Sequence, residues 1–269
     1  EWVLLRESVA PGDAKARRIL SLFEEEYGVT SAVEALSKIN HFLGHYMTSR
    51  FVPLSGETAE EETDPKAIDD DLRLSSSVML HLAVSIAKAY SLRKADWADV
   101  NTACCDALTS LPRCYQVQRK LPGALNAART LRFLPSGSGE ESLTTDPWHN
   151  DSDKTLFEEL HGFSWASIEQ LCKDDEGVKA SFFGELQVAE LEQVDAVTIV
   201  KLSVVQVGDA AAGFDETSLQ DGDTVLWELE SEIGLLLQSG LLICGTWFEL
   251  SSGIHFLGEV DAVTPAWAS

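Results

Sequence analysis

Apolar residues in the first half of the chain recur at the three- and four-residue spacing of amphipathic helices. Such series occupy four stretches, at 19–27, 33–47, 79–90 and 100–111. Asp13 precedes the first of them and is a residue type that caps helix N-termini. Pro112 and Pro122 are expected to interrupt the helical phase, and Pro122-Gly123 predicts a turn into a last short helix. The first half is therefore predicted to be a helical bundle.

The second half changes to β-branched residues and two-residue alternation after a helix at 156–173. Strands are predicted at 197–207, 224–230, 241–250 and 254–263. In the second of these, Val225, Trp227 and Leu229 alternate with Glu228 and Glu230, which predicts one packed face and one solvated acidic face. The predicted fold class is α+β, with an N-terminal helical bundle followed by a mainly antiparallel sheet packed on helices.

Two polar stretches predict how the chain is divided. A Gly/Ser/acidic run begins at Pro135, so we expect a helical region over 1–135, a linker over 136–154 and an acidic helix-plus-sheet region over 155–269. Within the first region, residues 55–71 are acidic and almost free of apolar side chains, which predicts a disordered loop.

Charge is segregated between the halves of this 269-residue chain, whose net charge is −24. Residues 1–135 hold 16 Lys/Arg and 18 Asp/Glu, whereas residues 136–269 hold 4 and 26, a net charge of −22. This excludes binding of nucleic acid or of an anionic membrane surface through bulk positive charge. We therefore expect no direct nucleic-acid contact, no membrane contact and a cationic protein as the partner.

The docking hypothesis rests on acidic side chains and on two tryptophans in polar or small surroundings. The candidate partner-binding residues are Asp174, Asp175, Glu176, Glu185, Glu190, Glu192, Trp148 and Trp267. An exposed tryptophan can anchor a partner's pocket, as hot-spot residues do. The alternatives are that the acidic faces only confer solubility and that each indole folds back onto its own domain.

Candidate chemistry is sparse. The five cysteines are an odd number without the spacing of a zinc site, which predicts reduced thiols in the cytosol or nucleus. His41 and His45 are four residues apart but lack the glutamate of a zinc-protease motif, and no other catalytic motif occurs. We predict no catalytic residue, no metal and no cofactor; the alternative is a hydrolase or transferase site around Cys105 or His81.

Three short blocks carry a family resemblance. They are residues 40–53, then Cys105-Asp106 with Leu121-Pro122-Gly123-Ala-Leu-Asn126, and then 245–257, which contains Glu249, Leu250, Gly253 and Phe256. In this order they resemble the fungal argonaute-binding subunit of the Argonaute siRNA chaperone complex. Ala124 and Leu125 depart from the family pattern, which has an acidic and an aromatic residue there.

The resemblance implies a non-enzymatic subunit that holds Argonaute with duplex siRNA and supports heterochromatin assembly directed by RNA interference. It also implies a further chaperone-complex subunit as partner, and residence in nucleus and cytoplasm. Acidity and a nuclear location are equally compatible with a histone-chaperone-like module, which stays open as the alternative binding function.

Overall fold

The computed structural model describes residues 8–10, 12–49, 65–134 and 147–268. The chain forms two compact units, a helical unit of residues 1–115 with 264–269 and a sheet unit of residues 116–263. Helices dominate the first and a five-stranded sheet dominates the second, which confirms the predicted α+β class.

The helical unit is built from long amphipathic helices. They are α1 (Ala14–Tyr27), α2 (Ala32–His41, continued through a π turn at Phe42–Tyr46 into Met47–Ser49), α3 (Pro65–Ala89) and most of α4 (Ala98–Lys120). Asp13 caps α1 as predicted, since its Oδ1 accepts from the backbone N–H groups of Lys15 and Ala16 at 2.9 and 3.1 Å. The apolar faces meet in one core that includes Phe23, Ile39 and Met79.

Helix α4 continues through Pro112, where the sequence predicted an interruption. Proline has no N–H to donate to the carbonyl four residues earlier, here that of Leu108. Arg73 Nη1 donates to Leu108 O at 2.8 Å instead. A side chain from α3 thus satisfies the carbonyl that Pro112 leaves open, and the helix is not broken there.

The prediction of a disordered loop over 55–71 is wrong for its last residues, 65–71. Residues 55–64 lie outside the described residues, but α3 begins at Pro65 and buries Ile68 and Asp71. Asp71 is 3% exposed and receives a hydrogen bond from Lys15 Nζ at 2.6 Å. The Lys15 cation, 56 positions away, therefore offsets the cost of burying the Asp71 carboxylate on the core side of α3.

The sheet unit follows with shorter helices and long strands. Its elements are α5 (Ala124–Phe133), α6 (Asp153–His161), α7 (Trp165–Leu171), β1 (Val178–Val194), β2 (Val197–Val207), β3 (Thr224–Glu230), α8 (Ser231–Gly234), β4 (Leu242–Leu250) and β5 (Ile254–Thr264). Strand β1 was not predicted from the sequence.

The five strands close into a barrel in the order β1-β2-β3-β5-β4. Strand β1 is antiparallel to β2 and β4, and β2 is antiparallel to β3, whereas β3 and β5 run parallel over two residue pairs. The rings of Trp227 and Trp247 are both fully buried and meet edge to face at 5.2 Å. The inward positions of β3 are thus core, as the alternation predicted.

The observed units do not follow the predicted boundary at 136–154. The division falls between residues 115 and 116, inside α4, and residues 264–269 join the helical unit. Helix α5, which was assigned to the helical region, packs on β3 through buried polar contacts described below. Residues 135–146 lie outside the described residues, and α6 begins at Asp153. Within the described residues, no helix is both long and apolar enough to cross a membrane.

Candidate functional site

Helix α5 begins with an unusual backbone. The Leu121–Pro122 peptide bond is cis, and Gly123 has a φ of 85°, a conformation that other residues rarely adopt. A Cβ on Gly123 would lie 2.5 Å from Glu230 Oε2 and 2.7 Å from Ile233 Cδ1. Glycine is therefore required here both for its backbone conformation and for the close approach of the end of β3.

Glu230, the last residue of β3, lies at the N-terminus of α5. Its Oε1 accepts from the backbone N–H of Leu125 at 2.5 Å, and the residue is only 5% exposed. Its Oε2 is also buried and accepts no hydrogen bond from the described part of the chain. Burial raises the pKa of Glu230, against the opposing effect of the N–H groups of α5 and of Arg129.

Asn126 joins α5 to two strands. Its Oδ1 accepts from Trp227 Nε1 at 3.0 Å and from Leu257 N at 3.1 Å, and its Nδ2 donates to Glu228 O at 3.3 Å. The side chain is fully buried. The Leu121-Pro-Gly-x-x-Asn126 motif thus forms a helix start and its attachment to the barrel, a role that the sequence did not reveal.

One turn further along α5, Arg129 is buried between two carboxylates. Its Nε donates to Asp175 Oδ2 at 3.0 Å and its Nη2 donates to Glu228 Oε2 at 2.7 Å. Burial acts to lower the pKa of Arg129, but Asp175 and Glu228 outweigh it and the pKa is raised. The predicted solvated acidic face of β3 is therefore wrong for Glu228 and Glu230, because α5 covers it.

A cavity of about 440 Å³ opens beside Glu230. Its walls come from the end of α4, the start of α5, the turn after α6, the β1–β2 turn and the residues after β3. Leu160, Phe163 and Ile233 supply apolar surface, whereas Arg119 and Lys120 supply cationic groups. The lining is therefore mixed, with apolar side chains beside charged ones.

Neither predicted tryptophan anchor is free. Trp148 Nε1 donates to Ala128 O at 2.7 Å, and its ring packs edge to face on Trp165 and under the guanidinium of Arg132. The half-buried Trp148 thus folds back onto the sheet unit, which was the alternative considered. Packing an indole ring against such neighbours is more favourable than leaving the ring in water.

Trp267 also packs inward, in a short 3-10 turn at Ala266–Ala268. This turn lies against Gly44, where a Cβ would overlap Ala268 and come within 3.2 Å of the Trp267 ring. Trp267 contacts the core of the helical unit, and its Nε1 is buried. It is therefore part of the helical unit and not an exposed anchor of the sheet unit.

The predicted acidic docking residues separate into two groups. Asp175 is 5% exposed and pairs with Arg129, so the prediction of an open docking residue is wrong for it. Glu185 is half-buried on β1. The remaining four are exposed: Asp174, Glu176, Glu190 and Glu192.

The other residues of the family-like blocks take structural positions or lie on a surface. Cys105 and Asp106 are exposed on α4. Leu250 and Phe256 are fully buried in the neighbouring strands β4 and β5, and Gly253 has a φ of 84° in the turn between them. Glu249 pairs with Lys179 at 2.7 Å across β4 and β1.

Among the described residues, Cys105 and His81 are not placed in a catalytic arrangement. Within the described residues, no hydrogen bond joins Cys105 or His81 to a base or nucleophile, and no group of three His, Cys, Asp or Glu side chains is arranged to hold a metal. Burial raises the pKa of the Cys104 thiol to about 12, so it is protonated at neutral pH. His41 and His45 are both exposed, and His41 Nδ1 shares a hydrogen bond of 2.6 Å with Tyr27 Oη.

Comparison of the chain with protein-family models and with curated proteins gives no match.

Proposed function

We propose that this chain is a non-enzymatic subunit that binds an Argonaute protein carrying duplex siRNA, together with a further chaperone-complex subunit. In this role it supports heterochromatin assembly directed by RNA interference, in the nucleus and cytoplasm. The sheet unit contacts the basic surface with which Argonaute holds nucleic acid, and it makes no direct contact with the RNA itself.

The observation that carries the proposal is the excess of exposed carboxylates on the sheet unit. Residues 116–263 contain 26 Asp/Glu against eight Lys/Arg, and the part from residue 174 onward contains 18 Asp/Glu against two, Lys179 and Lys201. Both lysines already pair with glutamates, at 2.7 Å to Glu249 and at 3.6 Å to Glu190. The carboxylates of the sheet unit thus outnumber its cations, and their excess charge attracts a cationic protein over a Debye length of about 8 Å at physiological salt.

We assign docking to two exposed segments at different positions along β1, and we call the two together the acidic surface. One is the end of β1 that pairs with the start of β2, with Glu190 and Glu192, and the other is the β2–β3 connection. Exposed acidic residues of the connection are Asp209, Asp215, Glu216, Asp221 and Asp223. Backbone bonds from Phe183 N to Asp209 O and from Ser181 N to Asp215 O fasten this connection to β1, so its charges are presented on a fixed scaffold.

The family-like blocks support the proposal at the level of the fold. Asn126 and Gly123 build the start of α5, and Leu250, Gly253 and Phe256 build the β4–β5 hairpin. A related subunit would need the same residues for the same junctions. Docking itself depends on the acidic surface, because Trp148 and Trp267 are packed within their own units.

The experiment is a pull-down of purified Argonaute loaded with duplex siRNA, at about 50 and 300 mM salt. A variant with Glu190→Gln, Glu192→Gln, Asp215→Asn and Glu216→Gln removes four charges from the acidic surface. The matched control removes four exposed charges from the helical unit, with Glu25→Gln, Glu26→Gln, Asp70→Asn and Asp99→Asn.

We expect the acidic-surface variant to lose most of its retention of Argonaute at about 50 mM salt, where the wild type and the control variant are both retained, and we expect all three to be retained weakly at about 300 mM salt. Equal loss in both variants would mean that only net charge matters, and unchanged retention in both would reject the docking surface. Saturable binding of purified H3–H4 without binding of Argonaute would favour the histone-chaperone alternative.

A further inference from the structure

Two histidines lie side by side on the surface of the helical unit. His41 is the last residue of Ala32–His41, and His45 lies in the π turn that continues α2. Their ring centroids are 5.0 Å apart, and both side chains are exposed. A tetrahedral ion bonded at about 2.0–2.1 Å to one nitrogen of each of two imidazoles places the ring centroids about 5 Å apart. The pair therefore has the spacing of two ligands of one ion, and an ion from solution can reach it.

Tyr27 of α1 orients one of the two rings. Its Oη shares a hydrogen bond of 2.6 Å with His41 Nδ1, and its ring packs edge to face against the same imidazole, with centroids 5.6 Å apart. Metal-binding histidines commonly have one nitrogen held by such a neighbour, which fixes the orientation of the ring and leaves the other nitrogen for the metal. The His45 ring is exposed, and no hydrogen bond from the described residues fixes it, so it can turn a nitrogen toward the same ion.

The backbone that carries His45 is held by packing. The π turn closes with a hydrogen bond from Met47 N to Phe42 O, and π turns are frequent at functional sites. Gly44, in the middle of the turn, lies so close to Ala268 that a Cβ there would overlap it. The two histidines are therefore presented by a supported turn.

Two charged side chains near His41 act in opposite directions. Partial burial, His45 and Lys38 lower the pKa of His41, against the opposing effect of Glu26. The same groups act on a bound cation, which Glu26 attracts and Lys38 repels. Both side chains are exposed, so water screens their effects and neither decides whether an ion binds.

We propose that His41 and His45 together bind a divalent metal ion such as Zn²⁺, through one ring nitrogen each. Imidazole nitrogen is a preferred ligand of Zn²⁺, Cu²⁺ and Ni²⁺. Two protein ligands leave coordination positions that water, or one side chain of another molecule, can fill. A site of this kind was not predicted from the sequence, because the histidine pair lacks the glutamate of a zinc-protease motif.

The test is titration of the reduced full chain with Zn²⁺ alone at neutral pH. Calorimetry gives the affinity, and the histidine ring signals in NMR spectra show which imidazoles the ion contacts. We expect saturable binding that shifts the ring signals of both His41 and His45. His41→Ala and His45→Ala should each weaken Zn²⁺ binding at least about tenfold, and Tyr27→Phe, which removes only the orienting hydroxyl, should weaken it about threefold to tenfold.

The matched controls are His81→Ala and Cys105→Ser, which remove exposed metal-ligating side chains of α3 and α4. Each should change Zn²⁺ binding less than about twofold. Equal loss in His45→Ala and His81→Ala, loss only in Cys105→Ser, or unshifted His41 and His45 ring signals at saturating Zn²⁺ would overturn the inference. The site lies within the helical unit, so a failure to bind Zn²⁺ leaves the proposed docking of the sheet unit standing, and a failure to bind Argonaute leaves this site standing.

Discussion

Replacing Asn126 by leucine tests whether the Leu121–Asn126 motif joins the helix to the barrel or belongs to a partner surface. Leucine has the same branched shape as asparagine, with two bulkier methyl groups in place of the amide oxygen and nitrogen, and no polar atoms. The change leaves three buried groups without their partner, namely Trp227 Nε1–H, the backbone N–H of Leu257 and the carbonyl of Glu228. Because Asn126 is fully buried, water cannot replace the lost hydrogen bonds without opening the junction.

The magnitude follows from these three contacts. Each buried polar group left unsatisfied costs about 1–3 kcal/mol. The three together predict a loss of at least about 3 kcal/mol from the stability of the sheet unit, since the costs are not fully additive. Asn126→Asp retains the acceptor for Trp227 and Leu257 and loses only the donor to Glu228, but it adds a buried negative charge.

The assay is native-state hydrogen exchange read on peptides from α5, β3 and β5, because a chain of two units need not unfold in one step. A loss of about 3 kcal/mol corresponds to roughly hundredfold faster exchange in these elements. The control is Gln118→Leu, which removes an amide that donates to Asp261 O at 3.2 Å at the surface, and it should leave exchange nearly unchanged. Exchange in Asn126→Leu no faster than in this control would refute the structural role.

Two further predictions concern buried charges of the same junction. Arg129→Met removes the cation between Asp175 and Glu228 and should lower the free energy of unfolding of the sheet unit in urea by about 3–5 kcal/mol. The control, Arg93→Met, changes a surface residue and should leave the urea midpoint of unfolding unchanged. Similar urea midpoints for the two variants would contradict the role of the buried ion pairs. The pKa of Glu230 is raised above its usual 4.5, so its contribution favours folding at lower pH and is lost as the pH rises through the folded pKa. The stability of the wild type relative to Glu230→Gln should therefore fall as the pH rises from about 4.5 through the folded pKa, and a difference that is constant or grows with pH would contradict this.

Local patterns in the sequence were sufficient for much of the fold. Helix α1 was predicted from its apolar spacing and from Asp13, and both its start and its buried face were confirmed. In β3 the alternation correctly placed Val225, Trp227 and Leu229 inside. These features depend on neighbouring residues, which the sequence displays directly.

The candidate site depends on residues that are distant along the chain, and here prediction failed. Asp175 was assigned to an open surface, but its partner Arg129 lies 46 positions away. Glu230 was assigned to solvent, but the N–H that it accepts from lies 105 positions away. The charge and periodicity of a sequence indicate that a carboxylate is unfavourable to bury. They do not indicate the distant cation or helix terminus that offsets this cost.

The tryptophans illustrate the same limit. The sequence around Trp148 and Trp267 is polar or small, which suggested exposure, yet Trp148 donates to Ala128 O and Trp267 packs near Gly44. Gly44 did indicate a close contact, because a glycine within a helical series permits another segment to approach the backbone. The sequence does not indicate which segment approaches.

The most direct test of the account is affinity purification of the full chain from its native cell, followed by identification of the bound proteins and of any small RNA. The account predicts that an Argonaute protein co-purifies with duplex siRNA, that both are released together when the salt concentration is raised, and that both are absent when the four charges of the acidic surface are removed. Recovery of histones without Argonaute, or of Argonaute in equal amount with the acidic-surface variant, would contradict it.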